Sequence, residues 1–411
     1  MINIVSFNGG RGAKNLIPAF LNKSGVNLTS IVNAYDDGKS TGNVRRFFKM
    51  LGPSDIRKVQ EAMVPECLPD FENILFLYGH RYDIGVSHDN TLEELSSYSQ
   101  KNDVKLLGLD FQDKIIDQTL RTILGYFVKG VRLTEAAEGI KFNFDDCSIT
   151  NLIYAGAFLH CKGNFELATI LIDKLFKLRG TVLPTNNEDK KLLAIREDGT
   201  ILYSEAEIVE LRSNSRIKNI YLLDQYPDRN LIEKMPIDKV EEYFALMNRQ
   251  VCITDNVQRS IKNADIIIYS AGTQHSSLYP SYITSGLADA IVSNPSALKI
   301  FLTNIGEDYE TPSYTAYDFI AGALKYLKKG ASSKITTQSL IDVALVNNCF
   351  SNKELEKYVT FNTIELDSIG CKILIDSFED KENPGKHDGK ALSEFILAYY
   401  EGHKIEKMQK Q

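Results

Sequence analysis

The chain has 411 residues, 47 Lys and Arg against 54 Asp and Glu, a net charge of −7, and 43% hydrophobic and 25% charged residues. This is the composition of a globular protein, and its acidity without any Lys/Arg block excludes general nucleic-acid binding, which needs a basic stripe to displace phosphate counterions. At roughly 150 residues per domain the length predicts two or three folding units around a sizeable core. The N-terminal Met1-Ile2-Asn3-Ile4-Val5-Ser6-Phe7 enters a strand-like run at once, with no basic n-region or cleavage site, so a cytoplasmic protein is expected. The six cysteines, Cys67, Cys147, Cys161, Cys252, Cys349 and Cys371, form no C-x-x-C pair and read as reduced thiols. Ile266 to Ala288 carries no Asp, Glu, Lys or Arg, but Ser, Thr, Gln, His, Gly and Pro crowd its middle, so no membrane span is expected.

In chain order, Asn3–Phe7 and Leu28–Ala34 are short apolar runs about a helical stretch carrying Leu16, Ile17, Phe20 and Leu21. That is the rhythm of a βαβ unit. Ser148–His160 and Asn164–Leu178 read as amphipathic helices, and Lys191–Arg196 with Thr200–Ser204 as a hairpin about Glu197-Asp198-Gly199. The parallel-sheet rhythm returns with strands at Asn219–Leu223, Ile266–Ser270, Leu298–Asn304 and Ile341–Asn347, and helices near 257–264, 284–293 and 315–328. A last strand is expected at Cys371–Ile375 and a closing helix at Lys390–Tyr400. The fold class is therefore α/β, a mostly parallel sheet with helices on both faces. Its core is expected in two parts, 1–64 and 216–403, separated by a helical and hairpin insert at 65–215 and followed by a solvated tail at 404–411.

Four segments can carry chemistry. Asn8-Gly9-Gly10-Arg11-Gly12 follows the first strand, where glycines permit positive φ and close backbone approach, and helix N-terminal amides attract an anion. A plain tight turn is the alternative. Asn33-Ala34-Tyr35-Asp36-Asp37-Gly38-Lys39-Ser40-Thr41-Gly42-Asn43-Val44-Arg45-Arg46 ends the second strand. Its carboxylates and hydroxyls suit a hydrated divalent cation, a ribose or a proton, or else an ordinary solvated turn, with Ser40 capping a helix. Leu51-Gly52-Pro53-Ser54-Asp55-Ile56-Arg57-Lys58 reads either as a helix start capped by Ser54 or Asp55, or as a second wall of the same cleft through Asp55 and Arg57. Tyr269-Ser270-Ala271-Gly272-Thr273-Gln274-His275-Ser276-Ser277-Leu278-Tyr279-Pro280 leaves a strand with small and hydroxyl residues suited to a diphosphate or a sugar. His275, without a visible partner, reads more readily as neutral than as an acid or base.

The order of these segments resembles the CofD-like family, which contains 2-phospho-L-lactate transferase and the bacterial gluconeogenesis factors. There a GGTG-type loop precedes A-D-D-G-G-S-S-G-R-L-R, P-P-G-D-I-R-N and a late A-D-[LI]-I-V-L-G-P-G-S-L-Y-T-S string. Asn151-Leu152-Ile153 resembles the family's G-N-L-L helix start, and Arg179-Gly180-Thr181-Val182-Leu183-Pro184 its R-G-R-V-L-P. Ile369-Gly370-Cys371 and Lys386-His387-Asp388-Gly389-Lys390 resemble its C-terminal region, and the likeness is closer to the gluconeogenesis-factor branch. Arg11 stands where the family has a small hydroxyl residue, Lys39 and Ser54 where it has Gly, Lys58 where it has Asn, and Ser270-Ala271 where it has Gly-Pro.

The resemblance implies a Rossmann-like site for a nucleoside diphosphate, and nucleotide-sugar binding with a regulatory role in carbon or cell-wall metabolism. The alternative it implies is a Mg²⁺-dependent transferase moving a phosphate-linked group from a GDP-linked donor to an acceptor hydroxyl. Expected nucleotide or phosphate contacts are Gly9, Gly10, Arg11, Gly12, Ser40, Thr41, Arg45, Asp55, Arg57, Asn151, Gly272, Thr273, Ser276 and Ser277. Asp36 and Asp37 would serve as catalytic and metal-holding carboxylates, with no organic cofactor. Self-association is a further expectation of the family. An NAD-dependent oxidoreductase would share the Gly-rich turn and the acid after the second strand, but the loop lacks G-x-G-x-x-G spacing.

Overall fold

The computed structural model describes residues 1–10, 12, 14–351 and 357–410, with side chains through 406. Its strands are β1 (Ile2–Asn8), β2 (Val26–Val32), β3 (Thr181–Pro184), β4 (Lys191–Arg196), β5 (Ile201–Leu202), β6 (Ile217–Leu223), β7 (Ile266–Tyr269), β8 (Leu298–Leu302), β9 (Val343–Asn347) and β10 (Lys372–Asp376). Seven of them form one sheet in the order β10-β9-β8-β7-β1-β2-β3. Every pairing in it is parallel. A parallel sheet is covered on both faces, so its inner strands must be apolar throughout rather than alternating. β7, β8 and β9 are each buried along their whole length and apolar but for Lys299 and Asn347. The register sets Phe7 of β1 beside Tyr269 of β7, and the two rings stack with centroids 5.5 Å apart.

Two strand assignments change. Residues 219–223 were expected in the parallel sheet, but β6 pairs antiparallel with β4, giving the small sheet β5-β4-β6. Conversely β3, inside the expected insert, joins the main sheet beside β2. An apolar run specifies a strand, whereas its partner is chosen by contacts distant in sequence, so the pattern alone could not separate these two. The small sheet has its own core, in which Leu193, Ile195, Tyr221 and Leu223 pack on Val240 and Phe244 of the helix Ile237–Met247.

The insert is helical as expected at Ile149–His160 and Phe165–Leu175, and adds helices at Phe71–Gly79, His88–Gln100 and Lys114–Glu138. Gly156 lets the helix Ile149–His160 cross the long helix Lys114–Glu138 closely, since a Cβ there would lie 2.2 Å from the Ile123 carbonyl oxygen. An edge-to-face group of Phe47, Phe48, Phe127, Phe142 and Phe144 ties the helix Lys39–Phe48 to the insert. The closing helix runs Gly389–Lys410, past residue 404, where a solvated tail was expected. No helix among the described residues is long and apolar enough to cross a membrane.

Capping also differs from expectation. The helix Lys39–Phe48 begins at Gly38 with no side-chain cap from Ser40, and Ser54 is the first residue of its helix rather than the cap. Lys39 has φ +42°, the left-handed region that favours glycine, at a position where the resembled motif carries Gly. Replacing it, Lys39→Gly, is expected to raise stability by up to about 1 kcal/mol, while Lys39→Val lowers it by about the same amount. Chemical denaturation of both variants checks the sign, and a destabilised glycine variant would contradict the strain.

Candidate functional site

The strand order reverses at β1. The chain runs outward through β2 and β3, returns to β7 on the other side of β1, and continues outward to β10. Open α/β sheets bind ligands at the carboxyl end of such a switch point, where two loops diverge and leave a crevice. Here the diverging loops follow Asn8 and Tyr269, and a cleft of about 1210 Å³ opens beside them. Behind its lining residue Ser270 the strand ends are polar, with Ser6 Oγ 2.8 Å from Ser270 Oγ and the Asn8 amide donating to Ser30 Oγ at 2.8 Å.

The glycines are present for contact rather than for positive φ. Gly9, Gly10 and Gly12 are absent from the residues with positive φ, yet a Cβ at each would collide with the opposite wall. At Gly12 it would lie 2.1 Å from the Ala271 carbonyl oxygen, at Gly10 2.4 Å from Asp55 Oδ1, and at Gly9 2.9 Å from Ser277 Cβ. Gly42 and Gly52 similarly admit the backbone oxygens of Asp37 and Asp36, each 2.2 Å from the hypothetical Cβ. The β1 and β7 loops therefore meet backbone to backbone at Gly12, and the loop after β2 meets the segment before the helix Ser54–Glu61 in the same way at Gly52.

Gly10, Gly12, Ala271, Gly272 and Thr273 line the cleft. Among the described residues, the amides of Gly9, Gly10, Ala271 and Thr273 take no protein acceptor. Lys14, Arg57, Lys58, Arg179 and Lys386 also line it, against the carboxylates Glu61, Glu66, Glu307 and Asp308. Unclaimed amides beside basic side chains are the donor set that an anion would need. Arg11 lies outside the described residues.

Asp55 links the walls. Its Oδ2 accepts from Ser277 Oγ at 2.8 Å and its Oδ1 from Lys58 Nζ at 3.0 Å, while Thr273 Oγ1 donates to Ser277 Oγ at 2.8 Å. Asp36 is half-buried close by. Burial first, and then the Asp55 charge, push its carboxyl above the ordinary range, with Lys58 partly offsetting them. Asp37 goes elsewhere. Its amide donates to Glu205 Oε2 at 3.0 Å and its carboxylate meets Arg46 at 3.5 Å. The two aspartates expected to share a metal thus have different partners, and among the described residues no group of three His, Cys, Asp or Glu side chains is placed to hold an ion. Asp36 and Asp55 repel each other, which a divalent cation would relieve, while both Asp55 oxygens are already taken by Lys58 and Ser277.

Several expected contacts are already engaged. The amides of His275 and Ser276 both donate to Glu310 Oε2 at 2.9 Å, and Ser276 Oγ donates to Glu310 Oε1. A buried carboxylate, pushed up to about 8 by burial and by Asp308, occupies the amides expected to meet a phosphate. Burial holds the His275 pKa down to about 3, so the ring is neutral, edge-on to Tyr279. Gly272 is clasped by Asn304, its amide donating to Oδ1 at 3.0 Å and its carbonyl accepting from Nδ2 at 3.1 Å.

Ser40, Thr41 and Asn151 are buried together, the Asn151 amide donating to Ser40 Oγ at 2.9 Å and to Thr41 Oγ1 at 3.4 Å. Arg57 lines the cleft while donating to the Tyr78 carbonyl and to Ser148 Oγ, both at 3.0 Å. Arg45, expected at a phosphate, faces inward with 1% exposure. Its guanidinium donates to the carbonyls of Tyr35 at 2.6 Å, Asp36 at 3.1 Å and Lys190 at 2.9 Å, and pairs with Asp189. It holds the Asp36 segment in place rather than meeting a ligand.

The motifs did not nominate Lys14, Glu205, Asn304 or Glu310 as site residues. Asn304 had a signal, since it follows β8 at the same end of the sheet. Glu205 and Glu310 had none, because they reach the site only through pairing distant in sequence.

The family described as 2-phospho-L-lactate transferase CofD matches residues 4–378. The gluconeogenesis factor of Bacillus subtilis is 25% identical over 405 residues, covering 96% of each chain. That of Halalkalibacterium halodurans is 24% identical over 399 residues, covering 96% of this chain and 95% of its own. Two crystal structures of a Bacillus halodurans protein, one described as a member of the UPF0052 family, superpose with TM-scores of 0.66 and 0.67 at 22% and 21% identity. They cover 96% and 97% of this chain and 99% and 100% of theirs, and they share its fold.

Proposed function

The chain belongs to the 2-phospho-L-lactate transferase CofD family, and from that premise we propose that its cleft binds a nucleoside diphosphate, carried as a nucleotide-sugar, in a regulatory role in carbon or cell-wall metabolism. The observation that supports this most is the set of unclaimed amides at Gly10, Ala271 and Thr273 facing a cleft with five cations at the switch point of the sheet. Two loops offering N–H groups to one space suit a diphosphate, because its oxygens spread over more than one donor set. The likeness to gluconeogenesis factors supports the regulatory role.

One observation favours a second reading, a Mg²⁺-dependent transferase. At about 1210 Å³ the cleft exceeds the usual volume of a single-ligand site, and Ala62, Val64, Phe71 and Leu75 give one part of it an apolar lining suited to an acceptor. In that case Asp36 and Asp55 would hold Mg²⁺, which neutralises phosphate charge when bound. The cations and amides of this chain would then orient the donor, since phosphoryl-type transfer depends mainly on positioning and charge stabilisation.

Thermal denaturation with UDP, GDP, UDP-N-acetylglucosamine and NAD, each with and without Mg²⁺, tests these readings. A ligand at a hundred times its Kd adds about 2.7 kcal/mol. A metal-independent shift with the UDP compounds is expected from the regulatory reading, and a shift with GDP that requires Mg²⁺ from the transferase. A shift with NAD alone would overturn both. Asp55→Asn is expected to weaken binding more than His275→Ala, because Asp55 joins the two walls through Ser277 and Lys58 whereas His275 is neutral and shut away from the cleft. Equal losses would contradict that placement.

A further inference from the structure

Phe71, Tyr78 and Tyr309 are the phenylalanine and tyrosine side chains lining the cleft. The first two pack against the core. Tyr309 is 62% exposed. Leaving a large ring in water gives up the burial that holds most aromatic side chains in place, so its position calls for a reason. The guanidinium of Arg212, from the connection between β5 and β6, lies 3.7 Å from the centroid of this ring. One face of the ring is thus covered by a cation from the connection between β5 and β6, which biases the ring towards the cleft wall.

The chain places this ring near the anion site. Asn304 clasps the Gly272 peptide, and Tyr309 follows five residues later. Five residues span at most about 17 Å when fully extended. An exposed, preorganised tyrosine at that remove from phosphate donors has the chemistry of a stacking platform, since every nucleobase offers a flat π face.

We propose that Tyr309 is the surface on which the heterocyclic base of the ligand stacks, with Arg212 bracing the opposite face of the ring. This inference rests on the nucleotide reading and goes beyond it by naming the group that recognises the base. It makes the preferred ligand a nucleoside diphosphate rather than a bare diphosphate. The ring needs no hydroxyl for this task, so phenylalanine serves as well.

Titration calorimetry with inorganic pyrophosphate, UDP and GDP, on the unmodified chain and on Tyr309→Ala, Tyr309→Phe and Arg212→Gln, tests the proposal. Tyr309→Ala is expected to weaken UDP and GDP by about tenfold or more and to leave pyrophosphate unchanged. Tyr309→Phe is expected to bind as the unmodified chain does, and Arg212→Gln to lose roughly twofold to fivefold. An equal loss of pyrophosphate and nucleotide, or nucleotide binding unaffected by Tyr309→Ala, would overturn the platform. Pyrophosphate binding without any preference for nucleotides would overturn it while leaving the anion site standing. Binding of neither ligand would overturn the nucleotide reading itself, and the platform with it.

Discussion

Gly10→Asp is expected to lower affinity for a nucleoside diphosphate on the order of a hundredfold, whereas Gly10→Ala lowers it on the order of tenfold. The steric part follows from the Cβ, which would lie 2.4 Å from Asp55 Oδ1 and 2.6 Å from Lys58 Cδ. Both of those atoms belong to side chains that can shift, so the fold survives while the Asp55–Ser277 link is disturbed. The electrostatic part is of similar size. A new carboxylate beside Asp36 and Asp55 would claim Lys58 and the amides of the β1 and β7 loops, which a phosphate would otherwise use. Calorimetric titration of the two variants separates these parts, and unchanged affinity in Gly10→Asp would place the ligand elsewhere.

Arg45→Met is expected to have the second large effect, this time on stability. The guanidinium is 1% exposed and satisfies three main-chain carbonyls, those of Tyr35, Asp36 and Lys190, besides Asp189. Removing it strands those acceptors in a buried place, which costs about 3 kcal/mol. The loss of the ion pair itself is tempered, because Asp189 is also held by Lys191 at 2.8 Å. A melting temperature several degrees lower is expected, with weaker ligand binding through a loosened Asp36 segment. Arg45→Lys recovers only a fraction of this, as an ammonium cannot span four acceptors spread over a guanidinium fork. A melting temperature unchanged in Arg45→Met would show that the arginine is not the strut described above.

The sequence made the switch point visible because its two loops carry local signals, glycines directly after an apolar run. Gly9, Gly10, Gly12 and Gly272 all lie at the cleft or against its wall. The physical reason for the glycines was harder to read, since a requirement for backbone contact and one for positive φ produce the same letters. Arg45 was misassigned to a phosphate for a related reason. An arginine beside a binding motif looks the same whether it faces a ligand or braces the loop, and only burial separates the cases. The exchange between β3 and β6 has the same origin, because both are short apolar runs whose sheet is decided by a partner more than a hundred residues away in one case and by β4, beyond β5 and a short helix, in the other. Glu310 is the clearest residue beyond reach. It takes the amides of His275 and Ser276 from a loop 34 residues downstream, and no pattern in either segment announces it.

A crystal structure of the protein with bound UDP or GDP shows whether the diphosphate sits between the β1 and β7 loops. Phosphate oxygens are expected against the amides of Gly10, Ala271 and Thr273, with Lys58 or Arg57 nearby and the base towards Tyr309. A nucleotide bound instead in the pocket of the small sheet beside Tyr226 and Tyr243, with the switch-point cleft empty, would contradict it.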